Sequence, residues 1–212
     1  LAMLMSIGGV TVTAIRLGRG DQEGANSAFL HAVVISAAIG ALLMATGMLF
    51  SRQIAAVSGS NETFLELTAD YIFHYSAFSL PFVFSISLQG FVRNDGSPLL
   101  VSVAVVTGAA TNIFLDWLFV FPLQWGIKGA AVASGLGQVS GLLILLIHFI
   151  RKKGVLRFKK FRLSPPLFWK IFKRGLPEMI SQFGTPVTTM WMNQVLIKVL
   201  GDLAVSAFSV LS

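Results

Sequence analysis

The sequence contains no cysteine and few charged residues. None of its 212 residues is Cys, which excludes disulfide frameworks, thiolate metal sites and cysteine nucleophiles. Only 12% of the residues are Asp, Glu, Lys or Arg, whereas soluble globular domains carry about 25%. The apolar fraction is 55% and the mean hydropathy is +0.78. This composition argues against an ordinary soluble domain and indicates a membrane protein.

Long uncharged runs separate the few charged residues. They cover residues 24–51, 71–92, 96–115, 129–150 and 179–197. A helix needs about 20 apolar residues to cross a hydrocarbon core of about 30 Å. We therefore predict a truncated helix that ends near Ile15, a last helix that starts near Leu203, and between them spans at about 28–50, 71–92, 98–121, 129–150 and 176–198. Because the chain begins with Leu1, we also expect it to be a fragment.

Basic residues are concentrated in alternate loops. Thirteen of the 16 Lys and Arg residues lie in the loops 16–23, 93–98 and 151–174, and ten of the 16 lie in the last of these. Since basic residues accumulate on the cytoplasmic side of a membrane, these loops are expected to be cytoplasmic. The 151–174 segment mixes apolar and basic residues, which suits a linker with an interfacial helix. Its charge is interpreted as setting topology, in preference to recognising a specific lipid or a nucleic acid.

Asp116 is the one acidic residue in the stretch 96–127. An unpaired carboxylate in lipid costs several kcal/mol, so this side chain is predicted to face the protein interior. Asn112 lies one helical turn earlier, and the next helix has Ser134 and Gln138 one turn apart. Such oxygens suit a hard monovalent cation, and a carboxyl group can instead carry a proton. The alternative is that these side chains only join neighbouring helices.

Other polar and aromatic residues are given structural interpretations. His31, His74 and His148 lie near predicted span ends and are interpreted as interfacial, since none has a metal-ligand spacing. Glu178 follows Pro177 at a predicted helix start, where a carboxylate is favoured by the helix dipole. The 18 Phe and 7 Met residues could line a pocket for large lipophilic cations, but such residues in membrane helices usually face lipid or fill packing gaps, and that interpretation is preferred.

Three sequence groups occur in order along the chain. The first is Arg16-Leu17-Gly18-Arg19-Gly20-Asp21 with Gly24-Ala25, and the second is Arg93-Asn94-Asp95-Gly96-Ser97-Pro98. The third runs from Asn112 through Leu115-Asp116 to the segment 126–134. Together they resemble the multidrug and toxic compound extrusion family of cation-coupled antiporters, and the resemblance extends over nearly the whole chain.

The resemblance implies a fold and a domain organisation. The expected fold is an all-α membrane protein, a polytopic helical bundle that is part of a twelve-helix transporter with two lobes related as parallel repeats. Residues 1–150 would form the amino-terminal lobe without its first helix, 151–174 a cytoplasmic basic linker, and 175–212 the start of the carboxy-terminal lobe.

The resemblance also implies a site. In one branch of the family, Asn112 and Asp116 match the cation site of the amino-terminal lobe, and Ser134 stands where that branch usually has Thr. An Asp on the first helix, outside this sequence, belongs to the same site. We therefore expect Asp116, Asn112 and Ser134 to form the cation-coupling site, with Gln138 as a secondary polar contact.

The implied activity is transport without catalysis. The expected protein is an antiporter of a bacterial plasma membrane that exports lipophilic or cationic drugs in exchange for H⁺ or Na⁺, with no other cofactor. Its expected partners are the drug-like substrate and membrane lipids, and no nucleic acid. Two alternatives remain open: a flippase for lipid-linked saccharides, which would also need a large central cavity, and a cation channel, since a buried Asp can select cations.

Overall fold

The computed structural model describes residues 2–58, 62–152, 154–158 and 163–200. These residues contain eight helices and no strand. The helices are α1 (Ala2–Gly18), α2 (Gln22–Leu49), α3 (Ser51–Val57), α4 (Glu62–Ser76), α5 (Ser79–Asn94), α6 (Pro98–Val120), α7 (Gly126–Ile150) and α8 (Pro165–Leu200). In this described part, α2, α6 and α7 are each long and apolar enough to cross a membrane. The predicted all-α membrane bundle is confirmed.

The predicted span 71–92 is divided between two helices. α4 and α5 meet at a bend of 48°, and together they would make one broken span. Pro81 lies in the first turn of α5, where its missing N–H costs no helical hydrogen bond. The bend falls at residues 77–78, in the first half of the predicted span. Sequence periodicity alone predicts a straight helix there.

The linker and the following predicted span are also organised differently from the prediction. A single helix of 36 residues, α8, replaces a separate interfacial helix and a span that begins at 176. Glu178 therefore does not cap a helix start. It lies inside α8, where one of its carboxylate oxygens accepts a hydrogen bond of 3.1 Å from Gln182. The helix predicted to start near Leu203 lies outside the described residues.

The chain divides into two compact units, residues 1–175 and 176–212. The boundaries proposed from the sequence, at 150 and 174, stay a prediction. All the packing described below lies within the first unit.

Small residues allow α6 and α7 to approach each other closely. A Cβ atom added to Gly137 would lie 2.8 Å from the carbonyl oxygen of Gly108 and 2.8 Å from the Cβ atom of Asn112. The small residues that recur every fourth position on α7, namely Gly129, Ala133, Gly137 and Gly141, are all buried. This is the close approach that such spacing predicts in membrane helices. It brings Asn112 directly against α7.

Candidate functional site

Asn112 joins the two predicted site residues nearest to it. Its Nδ2 atom donates to Asp116 Oδ2 at 3.1 Å and to Ser134 Oγ at 3.4 Å. α6 supplies the one-turn spacing between Asn112 and Asp116, and α7 supplies Ser134 across the close helix contact. The structure thus brings together the three residues that the sequence singles out. Gln138 lies one turn further along α7 and lines the same cavity as Asn112 and Ser134.

Asp116 is incompletely hydrogen-bonded. Its Oδ2 atom accepts the bond from Asn112, but Oδ1 is buried and has no hydrogen-bond partner among the described residues. An ionised carboxylate offers about four acceptor positions, and a buried polar atom without a partner is costly. Both hydrogen bonds of the Asn112 side chain use its amide nitrogen, which leaves its carbonyl oxygen as a further acceptor. Three oxygen-bearing side chains therefore lie together with unused acceptor capacity.

A cavity of about 550 Å³ lies beside this cluster, between α4, α5, α6 and α7. Asn112, Ser134 and Gln138 form part of its polar lining, together with Ser85 and Gln89 of α5. Gln89 Nε2 donates to Ser85 Oγ at 3.5 Å. Within the described residues, the lining is made of aromatic, aliphatic, small and uncharged polar side chains.

Aromatic side chains form one wall of the cavity, which is the less favoured of the two interpretations drawn from the sequence. Tyr71, Tyr75, Phe78 and Phe82 line the cavity, whereas the aromatic residues were expected to face lipid or fill gaps. Tyr71 and Tyr75 stack with ring centroids 5.7 Å apart. The regular spacing of the four residues was a usable signal, because residues four apart share a helical face. Only the bend between α4 and α5 shows that this face lines a cavity.

A second polar cluster lies at the other ends of α5 and α7. Asp95 Oδ2 lies 2.9 Å from His148 Nε2 and also accepts a bond from the backbone N–H of Leu156, while Oδ1 accepts one from Val155. The side chains of His148 and Asp95 are 0% and 2% exposed. The interfacial interpretation of His148 is therefore wrong.

His31 is likewise fully buried, which corrects the same interpretation for this residue. Its Nε2 atom accepts a bond of 2.7 Å from the backbone N–H of Ser164. For His74, whose Nδ1 atom lies 2.8 Å from the carbonyl oxygen of Asp70, an interfacial position stays a prediction. Their positions in the sequence placed His31 and His148 near span ends. The sequence did not show that the following linker covers both side chains.

Comparison with known proteins identifies the family. The MatE family model matches residues 1–118. The chain belongs to the MatE family. Multidrug export protein MepA of Staphylococcus aureus is 25% identical over 213 residues, an alignment that covers 99% of this chain and 47% of MepA. The chain spans about half the length of the curated relatives it matches.

Solved MATE structures share this arrangement of helices. A MATE crystal structure in the bent conformation has a TM-score of 0.89 and 26% identity, and the match covers 98% of this chain and 47% of that one. A MOP superfamily transporter from Pyrococcus furiosus, described by a reverse polarity of its binding pocket that suggests a different function, has a TM-score of 0.85 and 26% identity over 98% of this chain and 47% of its own. The family resemblance drawn from the three sequence groups is confirmed.

Proposed function

We propose that the chain provides the cation-coupling lobe of a multidrug efflux antiporter driven by H⁺ or Na⁺. The observation that carries this proposal is the position of Asn112, which bonds both Asp116 and Ser134, while Asp116 Oδ1 is buried and has no hydrogen-bond partner in the part of the chain that the structure describes. Membership of the MatE family and the similarity to a multidrug export protein support it.

The two coupling ions would use the cluster differently. A proton needs only the carboxylate of Asp116. A sodium ion takes several oxygen ligands, as hard cations do, and would draw on Asp116 Oδ1, the carbonyl oxygen of Asn112 and the hydroxyl of Ser134. The amide of Asn112 holds the other two side chains in position for either ion.

The neighbouring cavity is proposed to hold the substrate. Asn112 and Ser134 belong both to the polar cluster and to the cavity lining, so the coupling ion and the substrate would sit side by side. A cationic substrate in the cavity and a cation bound at Asp116 would repel each other. This repulsion favours occupation of the two sites in turn, as antiport requires. The ring faces of Tyr71, Tyr75, Phe78 and Phe82 suit a lipophilic cation.

The driving force is adequate for such an exchange. A membrane potential favours inward movement of a cation by about 2.3 kcal/mol per charge per 100 mV. Release of the ion from Asp116 to the inside would then bias the lobe towards the state that accepts substrate.

Efflux of ethidium from cells that express the complete gene product tests the proposal. Wild type is compared with Asp116→Asn under imposed proton and sodium gradients at matched expression. We expect Asp116→Asn to reduce gradient-driven efflux at least about tenfold, because loss of a coupling free energy of about 1.4 kcal/mol already has that effect. The ion whose gradient drives efflux is the coupling ion.

Asp70→Asn is the matched control, since it makes the same chemical change in an exposed ion pair with Lys128, and such pairs contribute little. Equal efflux by wild type and Asp116→Asn would contradict the coupling role of Asp116. If wild type exports no ethidium but is photolabelled by a lipid-linked saccharide, the flippase alternative replaces the proposal. Single-channel conductance would favour the channel.

A further inference from the structure

A second cavity, of about 270 Å³, lies between the end of α1 and the first turns of α8, within residues 1–175. Four cationic side chains line it: Arg16 and Arg19 from the end of α1 and the turn after it, and Lys170 and Arg174 from α8. Asp21 is the acidic side chain in the lining. This pocket does not share a lining residue with the substrate cavity.

The positive charge of the pocket is largely uncompensated. The carboxylate of Asp21 caps α2, accepting a bond of 2.8 Å from the backbone N–H of Gly24. Arg16 Nη1 donates to the carbonyl oxygen of Gly24 at 2.6 Å. Arg19, Lys170 and Arg174 form no ion pair with any described residue. Since like charges held close together repel, a bound anion would stabilise this arrangement.

The walls of the pocket are held by backbone packing. A Cβ atom on Gly8 would collide with the carbonyl oxygen of Ile171, and one on Gly175 would collide with that of Leu4. Ile171 is fully buried. The two helices therefore contact each other through their backbones, so Lys170 and Arg174 are positioned beside Arg16 before any ligand binds.

Exposed apolar side chains lie next to the basic ones on α8. Trp169 is 54% exposed and Phe168 is 39% exposed. Lys173 Nζ lies 5.3 Å from the centroid of the Trp169 ring. Aromatic and basic residues together on an exposed helix are typical of a segment at the membrane interface. Basic pockets between membrane helices on the cytoplasmic side, where this end of the bundle is predicted to lie, bind anionic lipid headgroups.

We propose that this pocket binds a phosphate group, and that the phosphate is the headgroup of an anionic phospholipid. Arg19, Lys170 and Arg174 supply charge-assisted hydrogen bonds to the phosphate oxygens, and the guanidinium groups can bind two oxygens at once. The acyl chains extend towards the apolar side chains of α8. For these three residues, the basic charge does more than set topology.

Native mass spectrometry of the complete purified protein tests the proposal. Phosphatidylglycerol, phosphatidylcholine and inorganic phosphate are titrated as separate probes into wild type and into the variant Arg19→Gln/Lys170→Gln/Arg174→Gln. Arg16 is kept because it bonds to Gly24. We expect the variant to bind phosphatidylglycerol about tenfold to a hundredfold more weakly than wild type, since each cation near a membrane surface contributes to the binding of anionic lipid.

The matched control is Arg93→Gln/Arg151→Gln/Lys152→Gln, which removes three exposed cations at the same predicted end of the bundle but outside the pocket. It should bind phosphatidylglycerol within about twofold of wild type, because diffuse surface charge is screened. Thermal unfolding in detergent verifies that both variants are folded.

Each outcome decides the proposal. Loss of phosphatidylglycerol binding in the pocket variant alone supports it, with phosphatidylcholine binding weakly throughout. If only inorganic phosphate binding depends on the pocket, the phosphate site stands and its lipid source is wrong. If the pocket variant binds both anionic probes like wild type, or if the two triple variants lose binding equally, the proposal is overturned.

Discussion

Asp95 and Asp116 are two carboxylates of one helical bundle with opposite hydrogen-bonding environments. Asp95 accepts three bonds, from His148 and from the backbone N–H groups of Val155 and Leu156. Asp116 accepts one from Asn112, and its second oxygen is buried without a partner in the described part of the chain. A carboxylate whose two oxygens both accept hydrogen bonds from its own chain stabilises the fold. A carboxylate with an unbonded oxygen can still accept a bond from a ligand.

The surroundings of the two groups reinforce this difference. Next to Asp95, the linker is tied to the bundle at further points: Asn26 Oδ1 accepts the backbone N–H of Arg157 at 2.6 Å, and His31 accepts that of Ser164. Next to Asp116, the polar cluster adjoins a cavity of about 550 Å³. Four variants test this difference.

The largest expected effect is that of Asp95→Ala. It leaves the buried His148 and two backbone N–H groups without their acceptor, so we expect the free energy of unfolding to fall by about 3–5 kcal/mol. Chemical denaturation in detergent measures this. Asp21→Ala, which removes a helix cap at the edge of the basic pocket, should cost about 1 kcal/mol. If the two variants lose equal stability, the Asp95 network does not hold the linker.

Gly137→Ala is expected to cost about 1–3 kcal/mol, because the new methyl group would overlap Gly108 and Asn112 and push α6 away from α7. Thermal unfolding and ethidium efflux are measured together. Efflux should fall by more than the loss of folded protein accounts for. The reason is that the hydrogen bond between Asn112 and Ser134 spans the contact between α6 and α7. Gly18→Ala has no atom within 4 Å of its new methyl group and should change neither.

Ser134→Ala removes one of the three proposed sodium ligands. We expect it to weaken sodium-driven efflux about fivefold, the effect of one net hydrogen bond of about 1 kcal/mol, and to leave proton-driven efflux nearly unchanged. Transport in proteoliposomes with one gradient at a time measures this. Ser140→Ala, whose hydroxyl bonds to the carbonyl oxygen of Gly137 on the same helix, is the control. Equal losses under both gradients would remove Ser134 from the ion site.

The smallest expected effect is that of Asp116→Asn on stability, less than about 1 kcal/mol, because only one hydrogen bond is at stake. Asp95→Asn makes the same chemical change but replaces an acceptor oxygen with an NH2 group that faces other donors, so it should cost about 2 kcal/mol or more. Parallel unfolding experiments compare the two. A larger loss for Asp116→Asn would reverse the assignment of the structural and the ligand-binding carboxylate.

Much of the fold could be predicted from the sequence, because hydropathy and helical spacing are local properties. The uncharged runs predicted α2, α6 and α7, and the one-turn spacing of Asn112 and Asp116 predicted a shared face. The proximity of Ser134 followed from the short connection between α6 and α7. The bend between α4 and α5 could not be predicted in this way, since the hydrophobic run continues through it.

Hydropathy and helical spacing were enough to predict a helical membrane bundle with a polar stripe on α6, and the three sequence groups indicated the family. Which polar groups have both oxygens bonded depends on the packing of the folded chain, because their partners lie far apart in the sequence: Asp95 and His148 are 53 residues apart. The same holds for the basic pocket, where residues from α1 and α8 meet. Hydropathy depends on residues that are adjacent in the chain, whereas the partner of a buried charge depends on how distant segments pack together.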